Sequence, residues 1–371
     1  MIRIGIVGSG FAARFHHAAL RKVYGTPLEV AGVWSPTEEH CRKFAEERGL
    51  RAFADLDSLC RAVDVVDACV PGAMHESVAL AAFERGCHVI LEKPFTGFFG
   101  PGTTPRENML REAMASAGRL LDAERSSGKT LFYAENWVYA PAVQKEKEII
   151  VKSGAQVLWM RGEESHSGSH SPFYGQWRFN GGGSLMGKGC HPLTAALYLK
   201  SPLRPVATSC RTHSITRLPA FRDLGHLRTS YQDVEDYAAL HVVFEDGTVA
   251  DILASELVMG GVANWIEVCA NNHRTRCSLN PVDALTTYNP REEYFENIYV
   301  VEKTGTKQGW SHPAPDEDWQ HGYPQEMQDF MDCAAAGRAP LSGSGLARDT
   351  VAVLYAGYLS AERNGAEVKL G

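Results

Sequence analysis

The sequence has no apolar run near the ~18 residues that a membrane helix needs, and its first ten residues, MIRIGIVGSG, lack the long apolar centre of a secretory leader. It has no CxxC pair. Nine cysteines, at 41, 60, 69, 87, 190, 210, 269, 277 and 333, are odd in number and scattered, which argues against a zinc knuckle or a redox pair. They read as small buried apolar residues in a reducing compartment, so the cytoplasm is the expected location. Blocks of Lys and Arg are missing too. The 37 basic and 44 acidic residues are interspersed and sum to −7, so a nucleic acid is not an expected partner.

What remains has globular composition, 44% hydrophobic and 22% charged, and 371 residues exceed what one core supports. Two domains are expected. Short β-branched runs at 2–7, 28–34, 51–53, 65–70, 88–91 and 130–134 alternate with helical patterns at 14–23, 37–48, 75–85 and 107–126. That alternation predicts a doubly wound parallel α/β sheet, a Rossmann domain over 1–134. Residues 95–106, rich in Gly, Pro and Thr, form a long loop that reads as a lid or a mobile insertion. Over 135–371 the texture changes. A crossover helix at 142–152, strands at 156–161, 236–244, 249–255 and 265–270, and an Asp246-Gly247 turn predict an α+β domain with a large, mostly antiparallel open sheet. Helix 190–199 and two helices within 325–363 would cover one face.

The strand at 2–7 breaks into Gly8-Ser9-Gly10-Phe11-Ala12-Ala13, a GxGxxA turn placed between strand and helix as dinucleotide binding requires. Gly8 permits the tight turn, Gly10 lets the backbone approach a pyrophosphate, and Ala13 keeps helix and strand close. A plain strand-to-helix turn is the alternative. The second strand ends in Trp34-Ser35-Pro36-Thr37 without the acid that usually holds the adenosine ribose. Ser35 and Thr37 suit a ribose hydroxyl or a 2'-phosphate, so NAD is expected with NADP as the alternative.

GSGFAA, the segment Val70-Pro71-Gly72-Ala73-Met74-His75, the tripeptide Glu92-Lys93-Pro94, the stretch Glu135-Asn136-Trp137-Val138-Tyr139-Ala140-Pro141 and the later GGGSLMGKGCHPL together resemble the Gfo/Idh/MocA oxidoreductases over nearly the whole chain. The resemblance implies a nicotinamide-binding domain and oxidation of a hydroxyl on a sugar, inositol or glycoside. It implies cofactor contacts from Gly8, Gly10, Phe11, Ala12, Ser35, Thr37, Pro71, His75, Glu92, Lys93 and Asn136. It also implies catalysis by Lys93 and His191, and a homodimer or homotetramer built through the open sheet, whose bare face would otherwise leave an apolar patch in water. Lys93 stands at a strand end facing the ligand crevice, where burial would lower its pKa, and His191 is a base near neutral pH without perturbation. A surface lysine paired with Glu92 and a structural histidine are the plain alternatives.

The pattern is broken at two places. Relatives carry Asp where this chain has Gly187 and again where it has Thr194, so His191 is expected to lack an orienting carboxylate. Lys188 stands where an apolar residue is usual. With Lys93, Tyr139, His166, His170, Arg178, Asn180 and His191 it would line a cationic pocket for a uronate or sulfonated sugar; alternatively Arg178 and Lys188 face solvent or pair with Glu163 and Glu164. The HxxxH of His166 and His170 is interrupted by Ser-Gly-Ser, so no metal is expected. A second enzyme class stays open, a redox-neutral NAD-dependent glycosidase of the sulfoquinovosidase type, which oxidises the 3-hydroxyl transiently, eliminates the glycoside, adds water and returns the hydride. A third option is a cofactor-sensing regulator.

Overall fold

The computed structural model describes residues 1–169, 171, 173–280 and 285–371. Five strands, β1 (Ile2–Val7), β2 (Leu28–Trp34), β3 (Val65–Ala68), β4 (His88–Glu92) and β5 (Leu131–Ala134), form a sheet in the order β2-β1-β3-β4-β5, with every pair parallel. β3 (VVDA) and β5 (LFYA) are buried at every position because helices cover both sheet faces. The expected strand at 51–53 is reduced to one parallel bridge, Val33 to Ala52. Three residues at a sheet edge are too few to hold a ladder. Beside it a short helix, Leu56–Cys60, starts from a capping box in which Asp55 accepts the Ser58 N–H at 2.6 Å.

The second sheet contains β6 (Val157–Ser165), β7 (Pro205–His213), β8 (Tyr237–Phe244), β9 (Val249–Ser255), β10 (Ala263–Ala270) and β11 (Arg274–Ser278). A small hairpin, β12 (Thr287–Asn289) with β13 (Gly309–Ser311), stands apart, and β14 (Val368–Lys369) closes the edge. The order is β11-β10-β6-β9-β8-β7-β14, antiparallel except for β6 beside β9. β6 runs to Ser165, beyond the expected end at 161, which puts Glu163 and Glu164 on a strand. Helix Cys190–Lys200, buried at all positions, and helix Ser344–Glu362 lie against one face.

The other face departs from the expected apolar patch. The Arg161 guanidinium sits 5.7 Å from both the Trp159 and Trp265 ring centres, and Glu267 pairs with Arg161 at 2.5 Å and with Arg274. The glycine-rich segment before helix Arg106–Ser127 is also not a lid. Tyr355 accepts the Phe98 N–H at 2.7 Å, Trp177 Nε1 donates to the Phe98 carbonyl at 3.0 Å, and Arg106 stacks 4.0 Å over Trp177, so the loop is packed between the two sheets' helices. All nine cysteines are free thiols and all but Cys269 are buried. No helix among the described residues is long and apolar enough to cross a membrane.

Candidate active site

The glycine turn is shaped for an anion. Gly8 has φ +119°, and a Cβ there would be driven onto the Cys69 carbonyl. Gly10 caps helix Phe11–Leu20 without any side-chain acceptor, and a Cβ on it would meet open space. The first-turn N–H groups therefore lack a side-chain cap and open onto a gap, which is what a pyrophosphate needs. Phe11 is 72% exposed at the mouth. Ser35 accepts from Ser9 at 3.0 Å and Thr37 is exposed, while Arg42 is committed to Glu38 at 2.5 Å.

Two of the expected cofactor contacts, His75 and Asn136, make hydrogen bonds within the scaffold. The ring nitrogens of His75 lie 2.8 Å from the Pro94 carbonyl and 2.9 Å from that of Val70, tying the ends of β3 and β4 together. Asn136 donates its amide to the His321 carbonyl at 2.8 Å.

Lys93 follows β4 and reaches across to the second domain, where its ammonium donates to the Gly187 carbonyl at 2.9 Å. Residues Leu185–Gly189 form a π turn leading into helix Cys190–Lys200. A π-type bond from Gly187 would need an N–H on residue 192, which is Pro192 and has none, so the carbonyl is left for Lys93. Burial pulls Lys93 toward neutrality, but Cys190 and the carboxylates of Glu164, Glu92 and Glu135 outweigh it and raise the ammonium above the ordinary lysine range. The expected lowering is thus reversed by acids supplied from β4, β5 and β6.

His191 is 6% exposed and does have an orienting carboxylate. Its Nδ1–H donates to Glu135, the residue after β5, at 2.5 Å, and Trp137 stacks on the ring at 5.9 Å. Nε2 faces Glu164 Oε2 at 3.7 Å, an oxygen with no hydrogen-bond partner among the described residues. Burial favours the neutral ring; Glu135 and then Glu164 override it and hold His191 above the usual imidazole range, against the opposing charge of Lys93. His191 is therefore a base only on the alkaline side of that range. Tyr174 explains why Gly187 carries no acid: a Cβ at 187 would be driven into the Tyr174 hydroxyl, which bonds the Gly183 carbonyl at 3.3 Å. Thr194, at the second position, donates to the Cys190 carbonyl at 2.7 Å and packs on Thr350. Glu135, Cys190 and His191 offer ligand atoms within 4.8 Å of one another. With Nδ1–H given to Glu135 and a lysine cation against Cys190, the group is built for protons.

The cationic pocket is corrected. Lys188 is 1% exposed and its ammonium is paired with Glu256, which also accepts from Tyr231 at 3.0 Å and from the Ser169 N–H at 3.1 Å. Arg178 is exposed, lies 4.6 Å over Phe179 and donates to Gln176. Asn180 donates to the Gly182 carbonyl and His166 Nδ1 accepts the Gly168 N–H at 3.0 Å, both closing local turns. The buried Tyr139 hydroxyl donates to Asp329 at 2.9 Å and accepts from the Ser342 N–H, away from Lys93. His170 lies outside the described residues. Breaking a buried ion pair strands its partner, so Glu256→Gln is expected to lower the free energy of urea unfolding by about 3–5 kcal/mol. A loss below about 1 kcal/mol would mean that Lys188, already lowered by burial, sheds its proton or is solvated once Glu256 is neutral.

Comparison with known proteins agrees with the two-domain fold. Residues 2–133 match the family described as "Oxidoreductase family, NAD-binding Rossmann fold", and residues 153–274 match "GFO/IDH/MocA C-terminal domain". The chain is 28% identical over 288 residues to D-glucoside 3-dehydrogenase of Escherichia coli (strain K12), covering 75% of this chain and 73% of that one. It is 36% identical over 95 residues to UDP-N-acetylglucosamine 3-dehydrogenase of Acidithiobacillus ferrooxidans, covering 26% and 29%. The fold matches GenD2 from gentamicin A biosynthesis, solved with NAD, with a TM-score of 0.83 and 23% identity over 100% of this chain and 96% of that one. The chain belongs to the Gfo/Idh/MocA oxidoreductase family, with an NAD-binding Rossmann domain at its N-terminus.

Proposed function

We propose that the protein is an NAD-dependent dehydrogenase that oxidises a ring hydroxyl, the 3-hydroxyl of an uncharged glucoside-type sugar. The observation that carries this reading is the convergence of Lys93, at the end of β4, and the Glu135-oriented His191 beside the Gly187 carbonyl. Glu135 fixes the tautomer with the proton on Nδ1, so His191 Nε2 accepts the hydroxyl proton. The Lys93 ammonium donates to the same oxygen as negative charge develops on it. NAD, when bound, supplies the hydride acceptor for the carbon. The carbon–oxygen bond becomes a carbonyl and the proton remains on His191.

Relatives named for 3-dehydrogenation of a D-glucoside and of a UDP-sugar support the position oxidised. An anionic sugar loses its support, since the Lys188 charge is spent on Glu256 while Glu164 and Glu135 stay near His191. The second copy implied by the resemblance would pair through the aromatic and charged face of the seven-stranded sheet.

The test is incubation with NAD and either an aryl glucoside or its glucuronide, following reduced nicotinamide and free aryl alcohol together. Stoichiometric reduction is expected, with kcat/KM at least about 10-fold higher for the neutral sugar, the scale of one unfavourable charge contact. Aryl alcohol release without net reduction would replace this reading with redox-neutral glycoside cleavage. Tight NAD binding with neither product would favour a sensor.

A further inference from the structure

The helix that receives the dinucleotide and the lysine that meets the substrate are joined by one buried side chain. His16, on helix Phe11–Leu20, is 1% exposed, with Nδ1 2.8 Å from Asp67 on β3 and Nε2 3.0 Å from Glu92 on β4. The other oxygen of Glu92 accepts the Lys93 backbone N–H at 2.8 Å. Neutral imidazole has a single N–H, so bonding two carboxylates requires a proton on both nitrogens. Burial opposes that charge, but Asp67 outweighs it and His16 is raised well above the ordinary range; burial likewise raises Glu92, yet the His16 bond brings it below the usual carboxylate range. The other ionisable groups that act on the ring are Cys69 after β3 and Glu326 from helix Tyr323–Ala336, while Lys93 and Tyr323 act on Glu92. Burial raises Glu326, which favours its neutral form beside the imidazolium.

We propose that His16 is a positioning residue: through Glu92 it fixes the peptide of Lys93, so that the chain Asp67–His16–Glu92 sets the aim of the lysine ammonium relative to the glycine turn. A residue that only filled space would tolerate an uncharged isostere. A residue that aims Lys93 would not, because displacement of a reacting group by about 1 Å costs up to ~10²-fold. This inference rests on the dehydrogenase reading for its kinetic test, and a second readout is independent of turnover.

In His16→Gln, kcat with NAD and a neutral glucoside should fall about 10- to 100-fold with KM and NAD affinity within about threefold. In protein labelled with 13C-lysine, with Lys93→Arg assigning the signal, the Lys93 resonance at neutral pH should shift from its parental position, since its peptide is no longer held through Glu92 and the ammonium leaves the Gly187 carbonyl. Glu92→Gln should reproduce the kcat loss, and the double variant should be no worse than the poorer single one, as expected of residues acting as a unit. Should His16→Gln fail to fold, Glu92→Gln alone carries the kinetic test. Unchanged kcat and an unmoved Lys93 resonance in a folded variant would overturn the proposal. A moved resonance in the variant of a parent protein that is inactive on sugars would uphold the linkage and reject the dehydrogenase reading.

Discussion

Lys93→Met is expected to lower kcat by about 10²- to 10⁴-fold while NAD affinity stays within about threefold, as measured by initial rates and by quenching of protein fluorescence. Methionine keeps the length and apolar body of the side chain and removes the ammonium that donates to the Gly187 carbonyl. The loss follows from chemistry at a developing alkoxide: a cation held above its ordinary range by Glu164, Glu92 and Glu135 stays charged at the moment that negative charge appears. An unpaired Gly187 carbonyl would cost about 1–3 kcal/mol of stability, so a thermal melt separates that effect from catalysis. A variant retaining more than about a tenth of parental kcat would remove Lys93 from the chemistry.

Glu135→Gln is the second large effect. The neutral amide is nearly the same shape as the carboxylate, but it no longer stabilises an imidazolium, and by turning over it can present N–H to Nδ1 and favour the wrong tautomer. A kcat loss of about 10²- to 10³-fold is expected. The pH profile gives the sharper check. Glu135 is the foremost group raising His191, so its neutralisation should lower the imidazole pKa and move the acid limb of kcat toward lower pH. A limb that stayed in place, or moved up, would assign it to another group.

These two residues show what a sequence discloses and what it conceals. The glycine turn and the five parallel strands were readable because each is a local pattern, an apolar run with its punctuation; Lys93 was singled out by its place at a strand end, and His191 by its glycine-rich segment and the family resemblance. The partners were not. Glu135 lies 56 residues from His191 and Glu256 lies 68 from Lys188, separations over which no periodicity speaks. Glu135 had a usable signal, since it follows β5 as Lys93 follows β4, at the strand ends where the crevice must lie. Glu164 was named only as a partner for Arg178 or Lys188, because the expected strand ended at 161, four residues before β6 does. Tyr139 misled for a different reason. It stands in a family-like motif, but the short helix Asn136–Tyr139 turns its hydroxyl toward Asp329. Position 51–53 shows the opposite error, where β-forming residues lacked the length to pair.

The phenol of Tyr174, seated where a side chain at 187 would grow, also orders the history open to this site. An aspartate cannot arrive at 187 before the ring at 174 has been cut down. Cutting the ring first opens a void beside the Lys188–Glu256 pair. Either change made alone therefore costs stability, so an acid can be seated at 187 only together with a smaller residue at 174.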